Sequence, residues 1–111
     1  DAMLWRRYSI ADELDNAGDV LVDDPAYASL ILHAADNKSV EYAFLARNHN
    51  LPRQKELLSA LDGLDDATGT LARAFYAAPD ARAQLAAATA LAAHLTGATT
   101  FFEWDSAQLP S

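Results

Sequence analysis

At 111 residues the chain has room for one domain with a real core, but not for two. Hydrophobic residues make up 51% of it, which excludes a disordered chain, and a formal charge of −8 excludes a broad nucleic-acid-binding face, which needs clustered Lys and Arg. There is no cysteine, so there is no disulfide, no thiolate metal site and no Cys nucleophile.

Alanine dominates the apolar fraction and Val and Ile are scarce, so the expected fold is all-α. The first helix is expected over Met3–Asn16, with Leu4, Tyr8, Ile10, Ala11 and Leu14 as an imperfect inward stripe and Gly18 as the stop. "DVLVDDP" then crosses to the second helix. There Asp24 caps free amides and Pro25 takes the first helical position. This helix is expected over Pro25–Asn48. Its stripes, Tyr27, Leu30, Ile31, Ala34 and then Val40, Ala43, Phe44, Arg47, are out of phase across Asp36–Ser39. One helix that changes its buried face is favoured over a break with Ser39 or Asp36 capping a second one. Pro52 opens the third helix, Pro52–Leu61, which buries Leu57, Leu58 and Leu61 and ends at Gly63. Asp65-Asp66 opens the fourth, through Ala78, with Leu71, Ala74, Phe75 and Ala78 inward. Pro79-Asp80 opens the fifth, through Leu95, with Leu85, Ala88, Leu91, Ala92 and Leu95 inward and Gly97 as the stop. Acidic residues at these starts suit the positive end of the helix dipole. The tail "TTFFEWDSAQLPS" carries aromatics suited either to a core edge or to contact with another domain. Short connections predict an antiparallel bundle of about five helices, a single helical domain over residues 1–111.

Chemistry-bearing motifs are sparse. His33, His49 and His94 include no pair at the four-residue spacing that puts two ligands on one helix face, so no metal is expected. No glycine-rich phosphate loop or nucleophilic serine motif is present, no catalytic residue stands out, and no cofactor is expected. Asp12, Glu13 and Asp15 read as a solvated acidic face. Arg6 and Arg7, near a helix start where cations are disfavoured, read as solvated arginines in preference to contacts with an acidic partner or phosphate. The stretch "FLARNHNLPRQKEL" differs from the rest, because it gathers Arg47, Arg53, Lys55 and His49 within nine residues of an acidic chain. Arg47, Asn48, His49 and Asn50 suit a helix carboxyl end. Arg53 and Lys55 then stand at a helix start, where free amides and nearby cations make an anion site.

The layout "DVLVDDPAYASLILHAADNKSVEYAFLARNHNLPRQKELLSALDGLD" resembles the helical carboxyl-terminal domain of kanamycin (aminoglycoside)-type nucleotidyltransferases and their bacterial relatives. Those domains carry an apolar helix ending in Phe-x-Leu-Asn-Arg-Arg-Tyr, then Pro and a Lys-Trp-Leu segment. Phe44, Asn48, Pro52, Lys55 and Leu57 fall in similar places, whereas His49-Asn50-Leu51 stands for Arg-Arg-Tyr and Glu56 for the Trp. The resemblance runs from Asp19 to Leu95, and the catalytic Gly-Ser and Asp-x-Asp signature is absent. It implies a substrate-binding or accessory helical module that is not an enzyme on its own and whose partner is a nucleotidyltransferase catalytic domain. Arg47, Asn48, His49, Arg53 and Lys55 would then face a nucleotide or small-molecule ligand. HEPN-type ribonucleases, which space Arg and His by four to six residues, do not fit: Arg47 and His49 are too close, and Arg82 and His94 too far apart.

The alternative is a self-associating helical interaction module, a homodimer without a small ligand, in which Ala86, Ala87, Ala90 and Ala93 allow close helix approach. No apolar run approaches the roughly 20 residues of a membrane span, and a cytoplasmic location is expected. The chain does not begin with Met and shows no signal sequence, which fits a trimmed chain or a piece of a longer polypeptide.

Overall fold

The computed structural model describes residues 2–97. They form an all-α antiparallel bundle of five helices: α1 (Ala2–Val20), α2 (Pro25–Leu45), α3 (Leu57–Leu64), α4 (Asp66–Tyr76) and α5 (Ala81–Thr96). A 3-10 turn, Gln54–Glu56, precedes α3. The aromatic tail lies outside the described residues.

Three helix starts are capped by acidic residues that the sequence places there, Asp24 as the expected cap and Asp65 and Asp80 at expected helix openings. Asp24, Asp65 and Asp80 each accept a bond from an amide three residues on, those of Tyr27, Thr68 and Ala83, at 3.1, 2.8 and 2.8 Å. Each carboxylate satisfies a donor that the helix itself leaves free. Gly97 closes α5 in the left-handed region (φ 80°), which glycine enters without a Cβ penalty.

Two other glycines expected to stop helices do not. Gly18 lies inside α1 and Gly63 inside α3. A mid-helix glycine costs only about 1 kcal/mol relative to alanine. On α1, burial of Ile10, Leu14 and Ala17 against α2 and α5 outweighs that cost. Nor does α3 start at Pro52. Arg53 is extended (ψ 153°), so the chain turns only at Gln54 and α3 begins at Leu57.

α2 is one helix through Asp36–Ser39, as expected, and Val40, Ala43 and Phe44 of the expected second stripe are buried, but Arg47 and the first stripe do not follow the expected face. Tyr27 and Leu30 are 51% and 68% exposed, while Ala28, Leu32, Ala35, Asp36, Ser39, Val40, Ala43 and Phe44 are buried. Small side chains let α2 pack closely, and the Ser39 hydroxyl is satisfied by donating to the Ala35 carbonyl at 3.0 Å. Ala74 of α4 is likewise exposed, although Phe75 beside it is buried. The α5 stripe is as expected: Ala88, Leu91 and Ala92 are buried, with Leu85 and Leu95 packed beside them.

The core has two main centres. Ile10, Leu14, Leu32, Phe75 and Ala92 meet where α1, α2, α4 and α5 converge. Val40, Phe44, Leu61, Ala72 and Leu91 join the far end of α2 to α3, α4 and α5. α5 contributes to both centres and so ties the α1–α2 pair to the α3–α4 pair.

α3 and α4 come together at Gly69, a buried helical residue. A Cβ there would collide with the Asp62 side chain and lie 3.0 Å from the Asp62 Cα. Its lack of a side chain therefore sets the closeness of this helix pair.

Candidate functional site

The groove between α2 and α3 has a volume of about 710 Å³. α2 supplies one wall, with His33, Asn37, Val40 and Glu41. The α2–α3 connection supplies Leu51, Pro52 and Gln54, α3 supplies Leu57 and Leu58, and α4 supplies Tyr76. The lining is thus mixed, apolar along Val40, Leu51, Pro52, Leu57 and Leu58, with polar groups on α2 and at Gln54 and Tyr76, and no lysine or arginine contributes to it.

Asp36 precedes Asn37 on α2 but does not itself line the groove. It is 1% exposed, and neither carboxylate oxygen meets a donor in good hydrogen-bond geometry among the described residues, the Tyr76 hydroxyl being the donor that acts on it. Burial pushes its pKa up to about 6, while the Tyr76 hydroxyl and the His33 ring pull it back partway. Partial desolvation of its own ring, together with the Asp36 carboxyl, raises the Tyr76 phenol above its ordinary value. Both neighbours that act on Asp36 line the groove. His33 is oriented by its Nδ1, 2.8 Å from the Ser29 carbonyl. A carbonyl only accepts, so Nδ1 carries the proton, and in the neutral ring Nε2 is left as an acceptor. The ring also meets Phe75 edge-on, with centroids 5.2 Å apart.

A second centre of polar contacts ties three helices together. Asp65 caps α4, accepts from the Thr68 hydroxyl at 2.7 Å and from Arg47 at 3.1 Å, and lies 3.2 Å from His94 Nε2 on α5. The Thr68 bonds, then the neighbouring His94, hold its pKa down at about 2. Thr68 is buried and the carboxylate is fully engaged. This cluster acts as a clasp that fixes the end of α2 against the start of α4 and the end of α5.

The five residues singled out in the cationic stretch take separate places. Arg47 donates to Asp65 and, at 3.3 Å, to the Ala43 carbonyl. Asn48 adopts the left-handed conformation (φ 58°). Its N–H reaches the Leu45 carbonyl at 3.0 Å, and that of His49 reaches the Phe44 carbonyl at 2.9 Å. This pair of bonds is a Schellman closure, in which a left-handed residue lets the chain satisfy its last carbonyls. Arg53 pairs with Glu56 at 2.8 Å within its own turn, and Lys55 is exposed on that turn. None of the five lines the groove; the same stretch reaches it through Leu51, Pro52, Gln54, Leu57 and Leu58.

Arg6 and Arg7 are engaged as well. Arg6 pairs with Glu41 at 3.3 Å, and Arg7 donates to the Thr96 carbonyl at 3.3 Å, at the negative end of α5. Among the described residues no group of three or more His, Asp or Glu side chains is placed to hold a metal ion, and no helix is long and apolar enough to cross a membrane.

Sequence reasoning missed His33, Asp36 and Tyr76. The available signal was the alternative α2 register Ala28, Leu32, Ala35, Ser39, Ala43, which runs at three-to-four spacing and places Asp36 on the buried side. No protein-family model matches the chain, and no similar curated protein or solved structure was found.

Proposed function

We propose that this chain is a non-catalytic accessory module, and that it binds its partner through the groove between α2 and α3. The observation that carries the reading is the composition of that groove. The segment that resembles the nucleotidyltransferase helical domain builds two of its walls, with Leu51, Pro52, Leu57 and Leu58 facing an open, largely apolar channel. Such a surface suits a docked protein segment. The partner is a nucleotidyltransferase catalytic domain, as the resemblance implies. Within that assembly Arg47, Asn48, His49, Arg53 and Lys55 are proposed to lie toward the nucleotide or substrate. Arg47 and Arg53 are held by carboxylates that a stronger anion would have to displace.

Sequencing the coding region upstream of Asp1 tests the reading. A domain with Gly-Ser and a following Asp-x-Asp pair on a strand supports it. A complete reading frame without one contradicts the nucleotidyltransferase assignment. It would favour the second reading, self-association, which rests on the exposure of Ala86 and Ala90 on one face of α5.

A further inference from the structure

We infer that the crevice between the end of α1 and the start of α2 is a second docking surface, and that it takes an arginine-bearing segment of a partner protein. The crevice shares no lining residue with the α2–α3 groove, so the inference goes beyond the binding reading above and does not depend on it.

Three observations lead to it. The first is the lining. The crevice has a volume of about 420 Å³. α1 supplies Glu13, Asn16, Asp19 and Val20, and α2 supplies Tyr27 and Ile31. Glu13, Asn16 and Val20 share one face of α1 at three-to-four spacing, as Tyr27 and Ile31 do on α2. Two carboxylates therefore border an apolar strip. The second is the exposure of apolar groups at this place. Tyr27 is 51% exposed, and Leu30, three residues on along the same face of α2, is 68% exposed. A half-open tyrosine on the rim of a crevice, continued by an exposed leucine, is the apolar centre around which protein interfaces are built. The third is charge. From Tyr8 to Asn37 there are seven acidic side chains and no lysine or arginine, whereas the rest of the chain has nine acidic and eight basic ones. Nearly all of the net charge thus belongs to the α1–α2 hairpin. Glu13 is paired with Lys38 at 3.3 Å. Asp19 is exposed and makes no hydrogen bond or ion pair among the described residues, which leaves it as the open charge in the lining. Arg82 lines a different pocket, together with Asp80.

Arginine fits this lining better than lysine. Its planar guanidinium can lie against the Tyr27 ring while its fork donates two bonds to the Asp19 carboxylate. A lysine ammonium brings the charge without the flat face. Val20 and Ile31 suit the apolar stem behind the charged head, and the negative field of the hairpin draws a basic segment toward it.

The test is titration of the ¹⁵N-labelled chain with three blocked tripeptides, Leu-Arg-Leu, Leu-Lys-Leu and Leu-citrulline-Leu; citrulline keeps the shape of arginine without its charge. Asp19→Asn and Asp12→Asn are carried beside the wild type, and circular dichroism verifies their fold. Each variant loses one exposed carboxylate, but Asp12 does not line the crevice. The arginine peptide is expected to shift the amides of Asn16, Asp19, Val20, Tyr27 and Ile31. It should bind about fivefold more tightly than the citrulline peptide, the upper worth of one exposed ion pair. Asp19→Asn should abolish that preference, and Asp12→Asn should keep most of it. Equal binding of the arginine and citrulline peptides, no shift in the crevice at millimolar peptide, or equal losses in the two variants overturns the inference. If the lysine peptide binds as tightly as the arginine peptide, the Tyr27 stack is absent and the assignment to arginine is overturned. None of these readouts involves the α2–α3 groove or the gene upstream of Asp1, so this inference and the accessory-module reading fail separately.

Discussion

Replacing Asp36 with Asn should change how stability depends on pH. The folded-state pKa of about 6 lies above the ordinary 3.8, so the folded chain holds this proton longer than the unfolded chain does. Stability from this group is therefore greatest below 3.8 and is lost as pH rises through about 6; above that the loss is constant. At 1.36 kcal/mol for each pH unit of displacement, the full loss is about 3 kcal/mol. The side chain is 1% exposed, so little of that is screened by water. Asparagine has nearly the same shape and no charge, but it buries an amide that also lacks a partner, at about 1–3 kcal/mol. That second cost does not depend on pH. The absolute stability of Asp36→Asn is thus less diagnostic than its slope. Between about pH 4 and pH 7.5 the variant should gain about 2.5 kcal/mol on the wild type. Urea unfolding followed by far-ultraviolet circular dichroism at both pH values measures this directly. Parallel behaviour of the two proteins would refute the claim that burial governs the Asp36 carboxyl.

Further tests address the fold and the clasp. Gly69→Ala should destabilise by about 1–3 kcal/mol through overpacking against Asp62, whereas Gly18→Ala and Gly63→Ala, at open helical positions, should each stabilise by about 0.5–1 kcal/mol; thermal melts separate the two outcomes. Asp65→Ala should cost about 0.5–2 kcal/mol from the lost cap, with under about 1 kcal/mol more from each half-exposed contact to Arg47 and His94. Because the Asp65 pKa is lowered to about 2, its contribution is present above 3.8 and is lost as pH falls toward about 2, which acid titration of the variant against wild type will show. Asn48→Gly should leave stability unchanged or raised, while Asn48→Ala should lower it by about 1 kcal/mol, as the left-handed helix stop requires; denaturant midpoints decide this.

The parts of the fold that were legible in the sequence have local causes. Asp24 was readable as a cap, and Asp65 and Asp80 as acidic helix starts, because a carboxylate there meets free donors and the positive end of the dipole within its own turn. Gly97 was readable because a left-handed stop favours glycine. The α5 face was readable because Leu85, Leu91 and Leu95 mark it plainly. The first half of the α2 face was not, since Ala28, Leu32 and Ala35 carry its burial while Tyr27 and Leu30 face outward, although Val40, Ala43 and Phe44 further on were read correctly. Side-chain size alone pointed to the wrong phase in the first half of α2, and with it Asp36 read as a residue between two stripes and not as part of the buried face. Gly18 and Gly63 misled for a related reason: the cost of a helical glycine is small beside the tertiary packing that overrides it. The groove was legible only in part. "FLARNHNLPRQKEL" was recognisable as an unusual stretch, but its cations drew attention, whereas Leu51, Pro52 and Leu57, with Leu58 just beyond it, line the groove. Tyr76 arrives from α4, a pairing between distant segments that no local pattern reveals.

Hydrogen exchange, comparing the isolated chain with the same residues in the complete gene product, tests the binding-module reading most directly. The account predicts slower exchange at the groove in the complete product, over residues 33–41 and 51–58 and at Tyr76, with the exposed face of α5 unchanged. Identical exchange in the two, or protection confined to α5 around Ala86 and Ala90, would contradict it.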